Sequence, residues 1–264
     1  MSSASHFLSG DRRARVLSLY HGPVEARRLF HAIHDRILTE SVAIDTANFQ
    51  EISTADLKLL FDMYDHSFFG CFLGQWIRED VATLNFRLSN RMTRSGGTTQ
   101  RLRPRKGVVR RDTFTITVST VLLFQSFREA GRPINVGGLE CKDRLEALQR
   151  IFEHELLHLT EFLAWDVSSC FQENFQILSR NLFGHAGVKH ELVTPHEVAA
   201  TEFDIRPGDQ VAFEFEGIHH VGVVNRITKR ATILVEDLNG RLYSSGKKYA
   251  TFYVPISMLK KKRS

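Results

Sequence analysis

The chain has 264 residues, of which 42% are hydrophobic and 25% are charged, and its formal net charge is +5. This composition is ordinary for a soluble globular protein, and it excludes a mostly disordered chain, a collagen and a coiled-coil rod. The sequence has no run of 18 or more apolar residues and no apolar core of signal-peptide length at its N-terminus, so we expect no membrane partner and a cytoplasmic location.

The first half of the chain predicts helices followed by short strands. Helices with one apolar face are predicted over residues 23–38 and 56–68, because apolar side chains recur there at helical spacing. Strands are predicted over residues 82–88 and 113–118, where apolar residues alternate with others, and a further short strand is predicted to open at Gly96-Gly97 between them. The basic, proline-containing residues 101–111 are predicted to form a loop or hairpin arm before the last of these strands.

The second half predicts a long central helix, a returning helix and a separate β-domain. The helix predicted over residues 142–165 is apolar on nearly every side, which is typical of a helix buried in the middle of a domain. Another helix, over residues 173–183, is predicted to end at Gly184. From about residue 201, short alternating stretches separated by glycine-containing turns predict a small antiparallel barrel.

The predicted fold class is α+β with a small all-β barrel appended. We divide the chain into an N-terminal helical extension (1–45), a main domain (46–195), a barrel (202–259) and a basic tail (260–264).

The long helix carries His154-Glu155-Leu156-Leu157-His158, an H-E-x-x-H motif. Histidines four residues apart lie one turn apart on the same helix face, so both imidazoles can reach one metal ion. Zinc suits such ligands, and Glu155 could take a proton from water that the metal activates. Burying these groups costs several kcal/mol unless they are satisfied, and a metal satisfies all three. We therefore predict His154 and His158 as metal ligands and Zn²⁺ as the cofactor.

The order of motifs around this helix resembles that of the SprT-like metalloprotease family. The resemblance covers about residues 56–190, and the segments that carry it are Leu60-Phe61-Asp62-Met63-Tyr64, Phe68-Phe69-Gly70, Arg91-Met92-Thr93-Arg94-Ser95-Gly96-Gly97, Ile116-Thr117-Val118-Ser119 and Glu153-His154-Glu155-Leu156-Leu157-His158. It implies a zincin-like metallopeptidase domain, with His154 and His158 as zinc ligands and Glu155 as the catalytic base. The family includes Spartan-type proteases, which degrade proteins crosslinked to DNA, so it also implies a protein substrate.

The third zinc ligand of the family has no direct counterpart. The family usually offers a histidine at the opening of the next helix, and Phe171 stands at that position here, with Phe175 in the aromatic position that follows. The replacements within reach are Cys170, Glu173, His185 and His190. We favour His185, because it follows a glycine that could turn it inward. A histidine that only caps the end of its helix is an equally good explanation.

A basic segment stands out beside the motif. Nine basic residues and no acidic residue lie between Arg87 and Arg111, a pattern that keeps a positive field able to contact phosphates. We predict DNA or RNA contacts at its densest part, which comprises Arg101, Arg103, Arg105, Lys106, Arg110 and Arg111. The barrel, which is loosely similar to KOW- or Tudor-type barrels, and the basic tail are expected to help. The alternative is a solvated loop that serves solubility.

The sequence thus predicts a zinc-dependent metallopeptidase of the SprT-like type, which would act on proteins associated with DNA. One alternative is a catalytically degenerate SprT-like domain that acts as a nucleic-acid-binding protein, and Phe171 favours it. Another is a structural zinc protein with a closed four-ligand site.

Overall fold

The computed structural model of the protein describes residues 11–104, 111–128 and 131–262. The chain divides into two compact units, the first ending at Leu192 and the second beginning at Val193. Helices and strands are mixed in the first unit, and strands dominate the second, so the predicted α+β class is confirmed. Within the described residues, no helix is both long enough and apolar enough to cross a membrane.

The first unit surrounds a long central helix with shorter elements. Its helices are α1 (residues 11–17), α2 (Pro23–Glu40), α3 (Thr54–Phe69), α4 (Phe72–Glu79), α5 (Thr120–Ser126), α6 (Arg144–Trp165) and α7 (Glu173–Phe183). Its strands are β1 (Thr83–Ser89), β2 (Gly97–Leu102), β3 (Thr113–Ser119), β4 (Ile134–Val136) and β5 (Leu139–Cys141). The predicted helices and strands of this region are confirmed, whereas the short helices α4 and α5 were not foreseen.

Three of these strands form a small mixed sheet. Their order is β1-β3-β2, with β1 parallel and β2 antiparallel to β3. Strand β2 therefore lies at an edge of the sheet. It extends through Arg101 and Leu102, the first residues of the segment predicted as a loop or hairpin arm, so these two residues form part of a hairpin arm.

Helix α6 forms the middle of the first unit, as its apolar circumference predicts. Asp143 caps its N-terminus, because the carboxylate accepts the backbone N–H of Glu146 at 2.8 Å. The helix contacts β2 on one side and α7 on another, and Phe152 and Leu156 are fully buried along it. It ends at Asp166, whose φ of 67° places it in the left-handed region. The motif residues are thus held on a rigid, desolvated element.

The second unit is a short helix followed by an antiparallel sheet. Its elements are α8 (Pro195–Glu202), β6 (Gln210–Phe215), β7 (Ile218–Ile227), β8 (Ala231–Leu242), β9 (Lys248–Val254), a 3₁₀ turn (Ile256–Met258) and β10 (Lys260–Lys261). The strand order is β10-β6-β7-β8-β9. Among the strands that the structure describes, β9 and β10 are the two edges, so the pairing is that of an open five-stranded sheet and does not by itself show the small barrel that we predicted.

An apolar core lies on one side of this sheet. Val211, Val224, Ile233 and Val254 are buried in it, one from each of four strands. Lys260 and Lys261, which we assigned to a basic tail, pair with β6 as its edge neighbour.

Candidate metal centre

Helix α6 brings its two motif histidines face to face. Nε2 of His154 lies 3.1 Å from Nε2 of His158. Phe175 of α7 packs against both rings, with centroid distances of 4.8 and 4.7 Å. Burial lowers the pKa of His154 to about 2 and the pKa of His158 to about 4, so both rings are neutral at pH 7. Two neutral nitrogens that converge in this way fit neighbouring positions around one metal ion.

The Nδ1 atom of His158 begins a short hydrogen-bond relay that runs through Ser168 to Glu161. His158 Nδ1 lies 2.7 Å from Ser168 Oγ, and the Ser168 hydroxyl donates to Glu161 Oε2 at 2.6 Å. The backbone N–H of Ser169 donates to the same oxygen at 3.0 Å. Because Ser168 gives its proton to Glu161, its oxygen accepts the Nδ1–H of His158 and leaves the Nε2 lone pair free for a metal.

Cys170 is the third member of the cluster. The ligand atoms of His154, His158 and Cys170 all lie within 4.8 Å of one another. Imidazole nitrogen and thiolate sulfur are both common ligands of zinc. The neighbouring Phe171 is 82% exposed and turns away from the site. Of the four replacements considered for the third ligand, Cys170 is the one that joins His154 and His158 in this group.

The other three candidates for the third ligand lie outside the His154–His158–Cys170 cluster, although His190 lines the same cleft. His185, which we favoured, is buried with its Nε2 2.7 Å from Glu153 Oε2, so that nitrogen is committed to a carboxylate. The expectation that His185 completes the metal site therefore does not hold in this geometry. Glu173 is exposed at the start of α7. His190 packs against His154 with ring centroids 4.7 Å apart, but it lies outside the three-residue cluster.

Glu155 lies against the edge strand β2. The hydroxyl of Thr99 is 2.8 Å from Glu155 Oε2 and 2.9 Å from its carbonyl oxygen. A Cβ at Gly97 would stand 2.6 Å from Glu155 Oε1, so glycine is needed there for the close approach. Burial raises the pKa of Glu155 to about 8. Without a nearby cation the carboxyl is therefore mostly protonated at pH 7, whereas a cation beside it favours the carboxylate.

A cleft of about 560 Å³ opens over these groups. Its lining includes Thr99, His154, Glu155, His158, Cys170 and His190. A site with three protein ligands and an open side has the arrangement of catalytic zinc centres, whereas structural centres use four protein ligands. The donor set and the open cleft both fit a zinc ion.

The structure describes only some of the residues of the predicted basic segment. Arg105, Lys106 and Arg110 lie outside the described residues. Arg111 is exposed. Arg101 and Arg103, however, pair with acidic residues from outside the window that we counted. These two arginines are therefore paired with carboxylates, although the basic segment itself contains no acidic residue.

Comparisons of the chain with protein-family models, with curated proteins and with solved structures give no match. The site is therefore interpreted from its own geometry. Sequence reasoning did not identify Thr99, Ser168 or Glu161 as parts of it, since none of them belongs to a motif. The position of Cys170 beside the missing histidine was the available signal for the third ligand.

Proposed function

We propose that this protein is a zinc-dependent metallopeptidase of the SprT-like type, with a zincin-like first unit and a KOW- or Tudor-like second unit, acting in the cytoplasm. The observation that carries the proposal is the convergence of His154 and His158 at 3.1 Å in an open cleft that also contains Glu155. The His-His-Cys cluster supports a metal there.

A zinc ion held by His154, His158 and Cys170 would supply a Lewis acid that polarises a peptide carbonyl and lowers the pKa of water. Glu155 is the group that moves the proton. Its carboxylate accepts a proton from the attacking water, and the resulting carboxylic acid donates that proton to the leaving amine. The contact with Thr99 holds Glu155 Oε2 in position for both steps.

The surroundings of Glu155 suit this exchange. A carboxyl group buried beside β2 holds its proton more tightly than one in water, and the cation of a loaded site opposes that effect. The cation thus lowers the pKa of Glu155 from its raised metal-free value, which favours a group that first takes up and then returns a proton. Ser168 contributes by fixing the tautomer of His158.

The proposed substrates are proteins associated with DNA or RNA. The exposed Arg111 and the half-exposed side chain of Arg103 support phosphate contacts on the surface of the first unit. Arg101 supports them least, because its guanidinium is occupied by two carboxylates.

The experiment combines zinc content with peptide hydrolysis. The purified wild type is expected to hold about one zinc and to release new N-termini from an unfolded protein substrate. Glu155→Gln should keep the zinc and lose at least about 100-fold of that activity, because the amide has the same shape but cannot accept the proton. Glu173→Gln, an exposed glutamate of the same unit, is the matched control.

Two results would contradict the proposal. One is a wild-type protein that holds no zinc after purification without chelators and after reconstitution. The other is hydrolysis by Glu155→Gln at the rate of the Glu173→Gln control.

A further inference from the structure

The loop that follows α6, residues 166–172, carries two groups of the metal centre. Ser168 contacts His158, and Cys170 supplies the sulfur. The loop lies between α6 and α7 and has no regular secondary structure of its own. At its far end, Gln172 occupies the N-cap position of α7 without a side-chain capping hydrogen bond. Glu161 holds the middle of the loop at Ser168 and Ser169, and a further anchor lies at its near end, at Asp166.

Two arginines from the end of β2 hold that near end. Arg101 forms an ion pair with the Asp166 carboxylate and lies 3.3 Å from its carbonyl oxygen. Arg103 donates to the same carboxylate at 2.6 Å and to the same carbonyl oxygen at 3.0 Å. The two arginines thus bind Asp166 through both its carboxylate and its backbone carbonyl.

Arg101 is the better anchored of the two. Its side chain is 15% exposed, against 56% for Arg103. It also donates from Nε to Asp112 Oδ2 at 2.6 Å, and it lies 5.7 Å from the ring centroid of Phe114. Asp112 directly precedes β3, and Phe114 lies in it. A planar guanidinium with several donors can bridge two carboxylates in this way, which an ammonium group cannot do.

We infer that Arg101 is a positioning residue of the metal centre, fixing Asp166 against the β2–β3 pair and thereby fixing Cys170 beside His154 and His158. The inference rests on the proposed metal centre, although not on peptide hydrolysis. It gives Arg101 a structural task in place of the phosphate contact that its sequence context predicted.

The alternative is that the Arg101–Asp166 pair is one more surface ion pair with little effect. Two observations favour the positioning role. Arg101 is mostly buried, and it joins three separate parts of the chain: β2, the start of β3 and the end of α6. Groups that orient ligands from outside the first coordination sphere change metal affinity by about 10- to 100-fold.

Asp166→Asn tests the inference with little disturbance, because asparagine also tolerates the left-handed backbone of this position. The variant and the wild type are titrated with Zn²⁺ against a chelator, and their Co²⁺ forms are compared by thiolate-to-cobalt charge transfer. We expect Asp166→Asn and Arg101→Gln to bind zinc about tenfold more weakly and to lose intensity in that band. Asp80→Asn, which removes a partner of Arg12 elsewhere in the unit, is the control.

Amide hydrogen exchange of the metal-free protein provides a second readout. The N–H of Ser169, which donates to Glu161, should exchange faster in Asp166→Asn and Arg101→Gln than in Asp80→Asn. This measurement does not need metal, so a wild type without zinc would refute the proposed function and still test the positioning role. Zinc affinity and Ser169 exchange equal to those of the control in both variants would overturn the inference.

Discussion

Two clusters along helix α6 contain histidines, and the surroundings of those histidines differ. His154 and His158 turn their Nε2 atoms toward each other in an open cleft, and no carboxylate of the described part of the chain contacts those atoms. His185, in contrast, pairs with Glu153, the residue directly before His154. The first cluster presents two Nε2 atoms to the cleft, whereas Nε2 of His185 is committed to a buried carboxylate and its Nδ1 is buried without a partner among the described residues.

The Glu153 cluster is saturated with donors. Tyr64 donates to Glu153 Oε1 at 2.9 Å, Arg150 to Oε2 at 3.0 Å, and His185 Nε2 lies 2.7 Å from Oε2. Arg150 also lies over the ring of Phe30, 3.7 Å from its centroid. These contacts join α2, α3 and the end of α7 to α6. The comparison indicates that residue type does not distinguish a metal ligand from a structural histidine, whereas the partners of its nitrogens do.

The largest effect that separates the two clusters is expected from His185→Gln. Removing one partner of a buried hydrogen bond to a charged group typically costs about 1.5–3 kcal/mol. We therefore expect denaturant unfolding of the first unit to shift to lower denaturant concentration, while zinc stoichiometry stays at the wild-type value. His219→Ala, an exposed histidine of the second unit, is the control. If His185→Gln lost its zinc while keeping wild-type stability, the result would indicate that His185 is a metal ligand.

A smaller effect is expected from Ser168→Ala, within the first cluster. The change removes the acceptor for His158 Nδ1 and a donor to Glu161, so the ring is no longer held in one tautomer and orientation. Zinc affinity should fall about tenfold in a chelator competition. Ser169→Ala is a close control, because its backbone N–H still reaches Glu161. Equal affinities for the two variants would show that the relay does not support the ligand.

The sequence predicted the elements of this site better than its contacts. Helix α6 and its H-E-x-x-H motif were predicted from apolar spacing and histidine spacing, because both signals are local. The partners of Arg101 could not be predicted in that way, since Asp166 is 65 residues away along the chain. For the same reason, the choice between His185 and Cys170 depended on which way the chain turns after α6 and α7, and neither turn is encoded in a short pattern.

The smallest expected effect concerns pH and the start of α6. His34 lies 3.5 Å from Asp143 and 3.6 Å from Asp35, with Glu146 also nearby. The contact with Asp143, opposed by burial, raises the pKa of His34 above its usual value. The resulting stability is present below pH 6.5 and is lost as the pH rises through the folded-state pKa.

His34→Gln isolates this contribution. The free energy of unfolding of wild type, minus that of His34→Gln, should be larger at pH 6 than at pH 9 by about 0.5 kcal/mol, because the pair is partly solvated. Denaturant titrations at the two pH values provide the measurement. A difference that is constant with pH, or that grows at pH 9, would show that His34 is not charged beside the N-cap of α6.

The central claim is that His154, His158 and Cys170 bind one zinc ion. X-ray absorption at the zinc edge of the loaded protein tests it most directly, because it counts sulfur and nitrogen neighbours. The account predicts one sulfur at about 2.3 Å and two imidazole nitrogens at about 2.0–2.1 Å, with the sulfur absent in Cys170→Ala. A wild-type spectrum without sulfur, or one with three imidazoles, would contradict it.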